Sequence, residues 1–500
     1  MLISVQDILG GQLSAISGQH LEIELPMSKS ESNRALMIAH YAGIQCFDDL
    51  ETRCLGDSVS LSDSDDTVLL QKLLNTLNQY IQNPKSEVRS PLTLELDCHN
   101  AGTVFRFLMT AVANLHLGDL ESRGLGVLLT GSERMKNRPI DSLVEALRNL
   151  GVAIEYTEKE GYPPILIVST DHEDLRGSLS SVGTRDACDT QRECLIVSTD
   201  HEDLRGSLSS VDTRDACDTR RLEISAEQSS QFASSLLLAS PLWKDGLELH
   251  LTGNLSSLPY IDMTINMMRQ CGVDVVRNDR DITVKQGIYN IENIKVEPDW
   301  SAAAFWYEMV SLSADAEVML KNLNINSLQA DAAAIKMFEN LGVKTIATEE
   351  GAVIKKANSQ QPTANSQQST FNFQFSTFNF KDCPDLFPAV IAACAGNKVN
   401  ATFMGLKNLS IKESDRKRAM MNELSKINIA FEDVSDDELK MFCPDELPYF
   451  TEENPIIFNN YEDHRIAMAL SILSMKIGAI SMENVEVVSK SYPGFFKHAV

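Results

Sequence analysis

Lys29-Ser30-Glu31-Ser32-Asn33-Arg34 combines groups that could grip one anion. A Lys and a Ser at a helix start offer an ammonium, a hydroxyl and free backbone N–H groups. Arg34, four residues beyond Ser30, can bring a forked guanidinium to the same place. Taken alone, the hexapeptide reads equally well as a solvated cap with surface charges. The arrangement recurs, however. His99-Asn100-Ala101-Gly102-Thr103 is followed by Arg106; Ser229-Ser230-Gln231, Ser256-Ser257-Leu258-Pro259-Tyr260 and Asp382-Cys383-Pro384-Asp385 come later. Ile411-Lys412-Glu413-Ser414-Asp415-Arg416 and Tyr461-Glu462-Asp463-His464-Arg465 complete the series. Lys412, Glu413 and Arg416 have the spacing that would set all three on one helix face.

The elements around these turns repeat a single plan. Leu21, Ile23 and Leu25 alternate as one face of a strand that Pro26 closes, and Ala35, Leu36, Ile38 and Ala39 then recur with helical spacing. Ser30 or Ser32 would cap that helix. Leu92, Leu94 and Leu96, then 222–225, 247–251 and 378–381, are further strands that run into polar turns and apolar helices. Such β-turn-α units predict an α/β protein whose convergent site is built from many helix N-termini.

Five hundred residues, 43% of them apolar, can bury large cores and suggest two or more domains. A net charge of −26 argues against nucleic acid or an anionic membrane as partner. Lys29, Arg34, Arg106, Arg134, Lys412, Arg416, Arg465 and Lys490 then read as a positive funnel in an acidic body. Cations are disfavoured beside a helix N-terminus, so their repeated use there asks for an anionic ligand. The ten cysteines show no CxxC pair and read as free thiols, with no metal site expected. MLISVQDILGGQ lacks a basic leader and a continuous apolar stretch, so a cytoplasmic protein is expected.

Two tracts break the pattern. Residues 166–190 and 195–219 are copies offset by 29, differing only at Gly183 versus Asp212. Residues 357–377 carry a seven-residue repeat of Asn, Gln, Ser and Thr without apolar a and d positions. Both read as tandem duplications within loops, where added length costs little. In the first, Leu195-Ile196-Val197 duplicates the strand that follows Tyr162-Pro163-Pro164. Two candidate strands would then compete for one place in a sheet, a register ambiguity.

LPMSKSESNRAL, HNAGTVFRFL, GSERMKNRPI, AEQSSQF, SSLPYID, CPDLFPA, IKESDRKRAM, YEDHRIAM and SKSYPGFF follow one another from residue 25 to residue 496. In content and order they resemble the 3-phosphoshikimate 1-carboxyvinyltransferase (EPSP synthase) family. The resemblance implies two similar inside-out α/β barrel domains, each of three βαβαββ units. It assigns 28–297 to the N-terminal barrel, with the insertion near 169–219; by the same resemblance the strand after Tyr162-Pro163-Pro164 pairs in a hairpin with Arg221-Leu222-Glu223-Ile224, so the copy attached to Tyr162-Pro163-Pro164 is expected to win. Residues 1–27 and 298–500 form the C-terminal barrel, with the insertion near 357–377. The chain would cross between them near Pro26–Ser28 and Pro298–Trp300.

The implied reaction joins the 5-hydroxyl of shikimate 3-phosphate to C2 of phosphoenolpyruvate and expels phosphate, with no cofactor called for and a monomer expected. By resemblance Asp385 is the base for the 5-hydroxyl, and Glu413 or Lys29 exchanges the proton at C3. Enclosure of Glu413 is expected to raise its pKa. The same resemblance assigns shikimate 3-phosphate to Lys29, Ser30, Arg34, Ser229, Ser230, Gln231, Ser257, Tyr260, Asp385, Asn408 and Lys412. Phosphoenolpyruvate falls to Lys29, Gly102, Arg134, Gln231, Arg416, Arg465 and Lys490, and His464 is a supporting residue. Met27 departs from the family's usual Gly, and Phe107 from a frequent Pro. The related UDP-N-acetylglucosamine enolpyruvyl transferases carry a loop Cys that Gly131–Pro139 lacks. A protein that merely binds anions would have no call for Asp385 and Glu413 beside the cations.

Overall fold

The structure is a computed structural model that describes residues 3–4, 20–43, 59–82, 93–117, 126–168, 221–225, 229–253, 255, 257–357 and 375–498. Among these residues four sheets of four strands share one topology, and a fifth sheet has three strands. In the sheet that contains Thr93–Asp97, this strand lies parallel to Gly126–Thr130. The antiparallel pair Ala153–Tyr156 and Ile165–Val168 then closes onto Gly126–Thr130. Parallel neighbours require a crossover, here supplied by the helix Gly102–Leu117. Arg221–Ser225 and Leu247–Thr252 repeat the plan around the helix Ser230–Ala239, and Ser376–Asn379 and Ala401–Met404 repeat it around Phe387–Gly396.

The fourth such sheet is discontinuous in sequence. His20–Glu24 pairs in parallel with Glu317–Lys321, its register running from His20 opposite Glu317 to Glu24 opposite Lys321. Alternation explains the fit: Ile23 and Leu25 point into a core made otherwise of residues 300–495, while a second core holds residues 35–294. The two chain passages between these cores lie side by side. Ser28 N–H donates to Glu297 O at 2.8 Å and Asp299 N–H to Pro26 O at 2.9 Å, with Met27 bridged to Pro298.

Helix starts are set by short polar side chains. Ser28, not Ser30 or Ser32, caps Lys29–Tyr41, accepting from Glu31 N–H. Asp299 caps Trp300–Leu312, Asp415 caps Arg416–Ser425, Asp463 caps His464–Ile472 and Ser229 caps Ser230–Ala239. These caps and first turns are where the polar motifs fall.

Two expectations are corrected. Ile165–Val168 and Arg221–Ser225 do not form a hairpin, because each is taken by a strand of a different sheet. The copy following Tyr162-Pro163-Pro164 does supply the strand, whereas Leu195-Ile196-Val197 lies outside the described residues. The heptad tract does not run as loop to residue 377, since Ser376 and Thr377 already pair with Ala401 and Thr402. The remainder of both duplicated tracts, 169–219 and 358–374, also lies outside the described residues.

Deleting 191–219 removes one 29-residue period and retains both Ile165–Val168 and Arg221–Ser225. The melting temperature is expected to stay within about 2 °C, because loop length enters stability only logarithmically. A drop of ten degrees in a thermal melt would show that the second copy supports the sheets.

Candidate functional site

Between the two cores lies a cavity whose lining comes from both. Lys29, Ser30, Gly102, Ser229, Ser230, Gln231, Ser257 and Tyr260 enter from one side, and Asp385, Asn408, Lys412, Glu413 and Arg465 from the other. Motifs far apart in sequence meet because every one sits at the same end of its β-turn-α unit. Ser257 holds a left-handed φ of 56° at the start of its helix, and its N–H donates to Lys381 O across the cleft at 3.3 Å.

Arg416 organises the C-terminal side. Its guanidinium is 1% exposed and meets three carboxylates: Nε donates to Asp463 Oδ2 at 2.8 Å, Nη1 to Asp385 Oδ1 at 2.6 Å and Nη2 to Glu413 Oε2 at 2.7 Å. Asp463 is aimed at it by a strained turn, with Tyr461 and Glu462 both left-handed at φ 55° and 54°. The side chains of Asn459 and Asn460 hold that turn through the N–H groups of Tyr461 and Glu462. Lys412 and Arg465 also reach Asp385, at 3.4 and 3.2 Å.

Lys412 and Glu413 precede the helix that begins at Arg416. The three residues therefore do not share a helical face; an extended residue at Lys412 and the turn after it bring them together.

The charges follow from this packing. Burial favours a neutral Asp385, but Arg465, Lys412 and Arg416 outweigh it and hold the carboxyl well below the usual range. Glu413 behaves likewise: burial is overcome by Arg416, then Lys490, so its pKa is lowered rather than raised as expected. Burial also opposes charge on Lys29, yet Asp66 at 3.2 Å, with Glu413 and Asp385, keeps its ammonium above the ordinary value. His464 is fully buried without a hydrogen-bond partner for either ring nitrogen among the described residues. Burial, then Lys29 and Arg465, push its pKa well down, and Asp463 at 3.9 Å is too distant for a hydrogen bond. The imidazole is neutral.

Four expected ligands stand outside the cavity lining. Arg34 is buried and turned away, donating to Thr264 Oγ1, Ser234 Oγ and the carbonyls of Ser30 and Tyr260. Phe107 lies beneath its guanidinium, 5.7 Å from ring centroid to Cζ. Arg134 donates to the carbonyls of Ser410, Lys412 and Glu413. Arg416 is spent on its carboxylates, and Lys490 donates to Asn100 O at 3.3 Å.

Sequence reasoning gave no ligand role to Arg138, Asp66, Thr103, Asp299 and Ser301, all of which line the cavity. A Cβ on Gly102 would sit 2.5 Å from Arg138 Nη1 and 2.6 Å from Arg106 Nη1. Gly102 therefore makes room for two converging guanidiniums. Nε and Nη2 of Arg138 are buried with no partner among the described residues. Arg138 ends the same motif as Arg134, so the signal available was the motif's second arginine.

A two-sided cleft with cations held by carboxylates, and helix starts on both walls, defines an α/β protein suited to small polyanions. The family model described as EPSP synthase (3-phosphoshikimate 1-carboxyvinyltransferase) matches residues 13–187 and 207–498, and the chain belongs to that family. It is 32% identical to a protein named 3-phosphoshikimate 1-carboxyvinyltransferase from Bacteroides fragilis, across 97% of this chain and 95% of that one. A relative of the same name from a Sulfurovum species is 28% identical, with 95% of each chain covered. The EPSP synthase structure from Acinetobacter baumannii superposes with a TM-score of 0.60 at 18% identity, covering 96% of this chain and 95% of that one. This last likeness concerns the mixed α/β fold.

Removing one partner of a buried charge leaves the other unpaired. Asp463→Ala is therefore expected to lower unfolding stability by about 3 kcal/mol in urea titrations at neutral pH. Because Asp385 and Glu413 are depressed in the folded state, their stabilisation is complete above the unfolded carboxylate range and disappears as pH falls through their folded values. The stability that wild type holds over Glu413→Gln should therefore narrow below about pH 4 in acid titrations, a comparison in which the other buried titrating groups, His464 among them, cancel. A difference that stays constant from about pH 6 down to about pH 2 would contradict the depressed value.

Proposed function

We propose that this chain transfers the enolpyruvyl group of phosphoenolpyruvate to the 5-hydroxyl of shikimate 3-phosphate, releasing phosphate, as a 3-phosphoshikimate 1-carboxyvinyltransferase of the shikimate pathway to chorismate and aromatic amino acids. The observation that carries this reading is the pairing of Asp385 and Glu413 with the cations of one cavity between the two cores. Family membership across nearly the whole chain supports it.

In this reading Asp385 accepts the proton of the 5-hydroxyl as its oxygen bonds to C2. A carboxylate held so acidic is too weak to deprotonate an alcohol in advance, so proton transfer accompanies C–O bond formation. C3 gains a proton at the same stage and loses it when phosphate leaves. Lys29 keeps its proton near neutrality, which suits the donor, whereas ionised Glu413 suits the acceptor. A phosphate or carboxylate drawn to Lys490 or Arg416 would compete for these cations and raise the proton affinity of Glu413.

We assign shikimate 3-phosphate to Lys29, Ser30, Ser229, Ser230, Gln231, Ser257, Tyr260, Asn408 and Lys412, and phosphoenolpyruvate to Lys29, Gly102, Gln231 and Arg465. Arg34, Arg134, Arg416 and Lys490 take part once a substrate displaces their present partners or the halves move closer. In this reading 28–297 form one inside-out barrel domain and 1–27 with 298–500 the other, a division into two that the separate cores support. No helix among the described residues is long and apolar enough to cross a membrane. A cytoplasmic monomer acting on free metabolites is part of this proposal.

Phosphate release should require both substrates together. Asp385→Asn and Glu413→Gln should each reduce kcat by about 10²–10⁴-fold, the usual worth of a positioned acid or base, while calorimetry still detects shikimate 3-phosphate. Normal turnover in either variant removes that carboxylate from the mechanism.

A further inference from the structure

Beside Asp385 the cavity wall carries a pair that the mechanism above does not use. Ser301, in the first turn of the Trp300–Leu312 helix, lines the cavity. Its hydroxyl donates to Oδ2 of Asp331, a carboxylate 2% exposed. The other oxygen of Asp331 is buried with no partner among the described residues. Asp299 Oδ1 takes the Ser301 N–H at 2.7 Å and so holds the residue at the helix start.

We propose that Ser301 contacts the substrate, with Asp331 turning its hydroxyl so that the oxygen lone pairs face the diol of shikimate 3-phosphate. The inference rests on the enolpyruvyl-transfer reading. Lys29, Lys412 and Arg465 are cationic donors on the surrounding walls, suited to phosphates and carboxylates. A ring with two free neighbouring hydroxyls instead brings two O–H donors and needs two acceptors. Asp385 is one of these. Ser301, its own proton committed to Asp331, is a second acceptor that adds no negative charge at the cavity surface. Asp331 is then a positioning residue and Ser301 the contact.

The pair has a built-in dependence on pH. Asp331 is influenced by Asp385, Asp299 and Arg465, and Tyr260 and Cys383 are its other titratable neighbours. Burial, then Asp385, pushes its carboxyl up to about 7. Above that pH the ionised carboxylate accepts from Ser301 and leaves the lone pairs facing the cavity. Below it, a protonated Asp331 can donate to Ser301 and turn the serine proton toward the diol, opposing the required polarity.

The test titrates shikimate 3-phosphate into the full-length wild type, Ser301→Ala and Ser301→Thr by calorimetry, with turnover and thermal melts alongside. Ser301→Ala should weaken binding about tenfold, as for one lost hydrogen bond, while KM for phosphoenolpyruvate moves less than about twofold and Ser301→Thr restores affinity. The tenfold ratio between wild type and Ser301→Ala should shrink toward one as pH falls through about 7, a comparison in which titration of the substrate phosphate cancels. Equal affinities in folded wild type and Ser301→Ala, or a ratio independent of pH, would overturn the assignment while leaving the functional reading intact. A wild type that neither binds nor turns over the substrates would overturn both.

Discussion

The guanidinium of Arg416 is the interaction on which the site depends. It is 1% exposed, and a charge so far from water must be paired and hydrogen-bonded or the local structure rearranges. Its partners come from three separate parts of the chain: the short Pro384–Leu386 helix, the turn before Arg416 itself, and the cap of His464–Ile472. Satisfying one cation therefore fixes the relative placement of Asp385, Glu413 and Asp463. It also keeps the first two ionised against the pull of burial. Structure and chemistry are linked here, because the same hydrogen bonds that hold the carboxylates set their proton affinity.

On the opposite wall the positions come from helix starts rather than a central ion pair. Gly102 begins a helix with Arg106 and Arg138 converging above it, and Gln231 ties that helix to the next by accepting from Arg106 Nη1 at 3.0 Å and donating to Thr103 Oγ1 at 2.6 Å. Repulsion between the two arginines adds to burial in lowering the Arg106 pKa to about 9. An anion placed between them would relieve that repulsion, so the geometry stores a preference for negative charge. The walls differ in kind: one holds carboxylates among cations, the other holds Arg106 and Arg138 with no carboxylate partner among the described residues.

The paired passages between the halves bring these walls into register. Asp299 caps one helix through Ser301 and Ala302 N–H, while its Oδ2 lies 3.4 Å from Lys29 N. Lys29 therefore sits where a C-terminal cap meets an N-terminal helix, with its ammonium on Asp66. Polar contacts such as Ser257 to Lys381, Arg134 to Glu413 and Lys490 to Asn100 join the halves, whereas the apolar packing lies within each, which suits a cleft that admits and encloses polar substrates.

Local signals made much of this legible. Alternation at Leu21, Ile23 and Leu25, apolar helices after polar turns, and the motif order foretold the α/β plan and most of the cavity lining. Two local readings went astray because neighbouring residues offered equivalent choices: Ser28 competes with Ser30 and Ser32 for one cap, and spacing alone placed Lys412 on a helix that starts at Arg416. Sequence by itself determined which residues are polar at helix starts, since capping and amphipathic packing are local requirements. Only the tertiary structure decided which arginines face the cavity, which lie buried like Arg34, and which carboxylates are ionised. Those outcomes depend on Coulomb interactions and desolvation among groups that folding gathers from tens to hundreds of residues apart, and no local pattern encodes them.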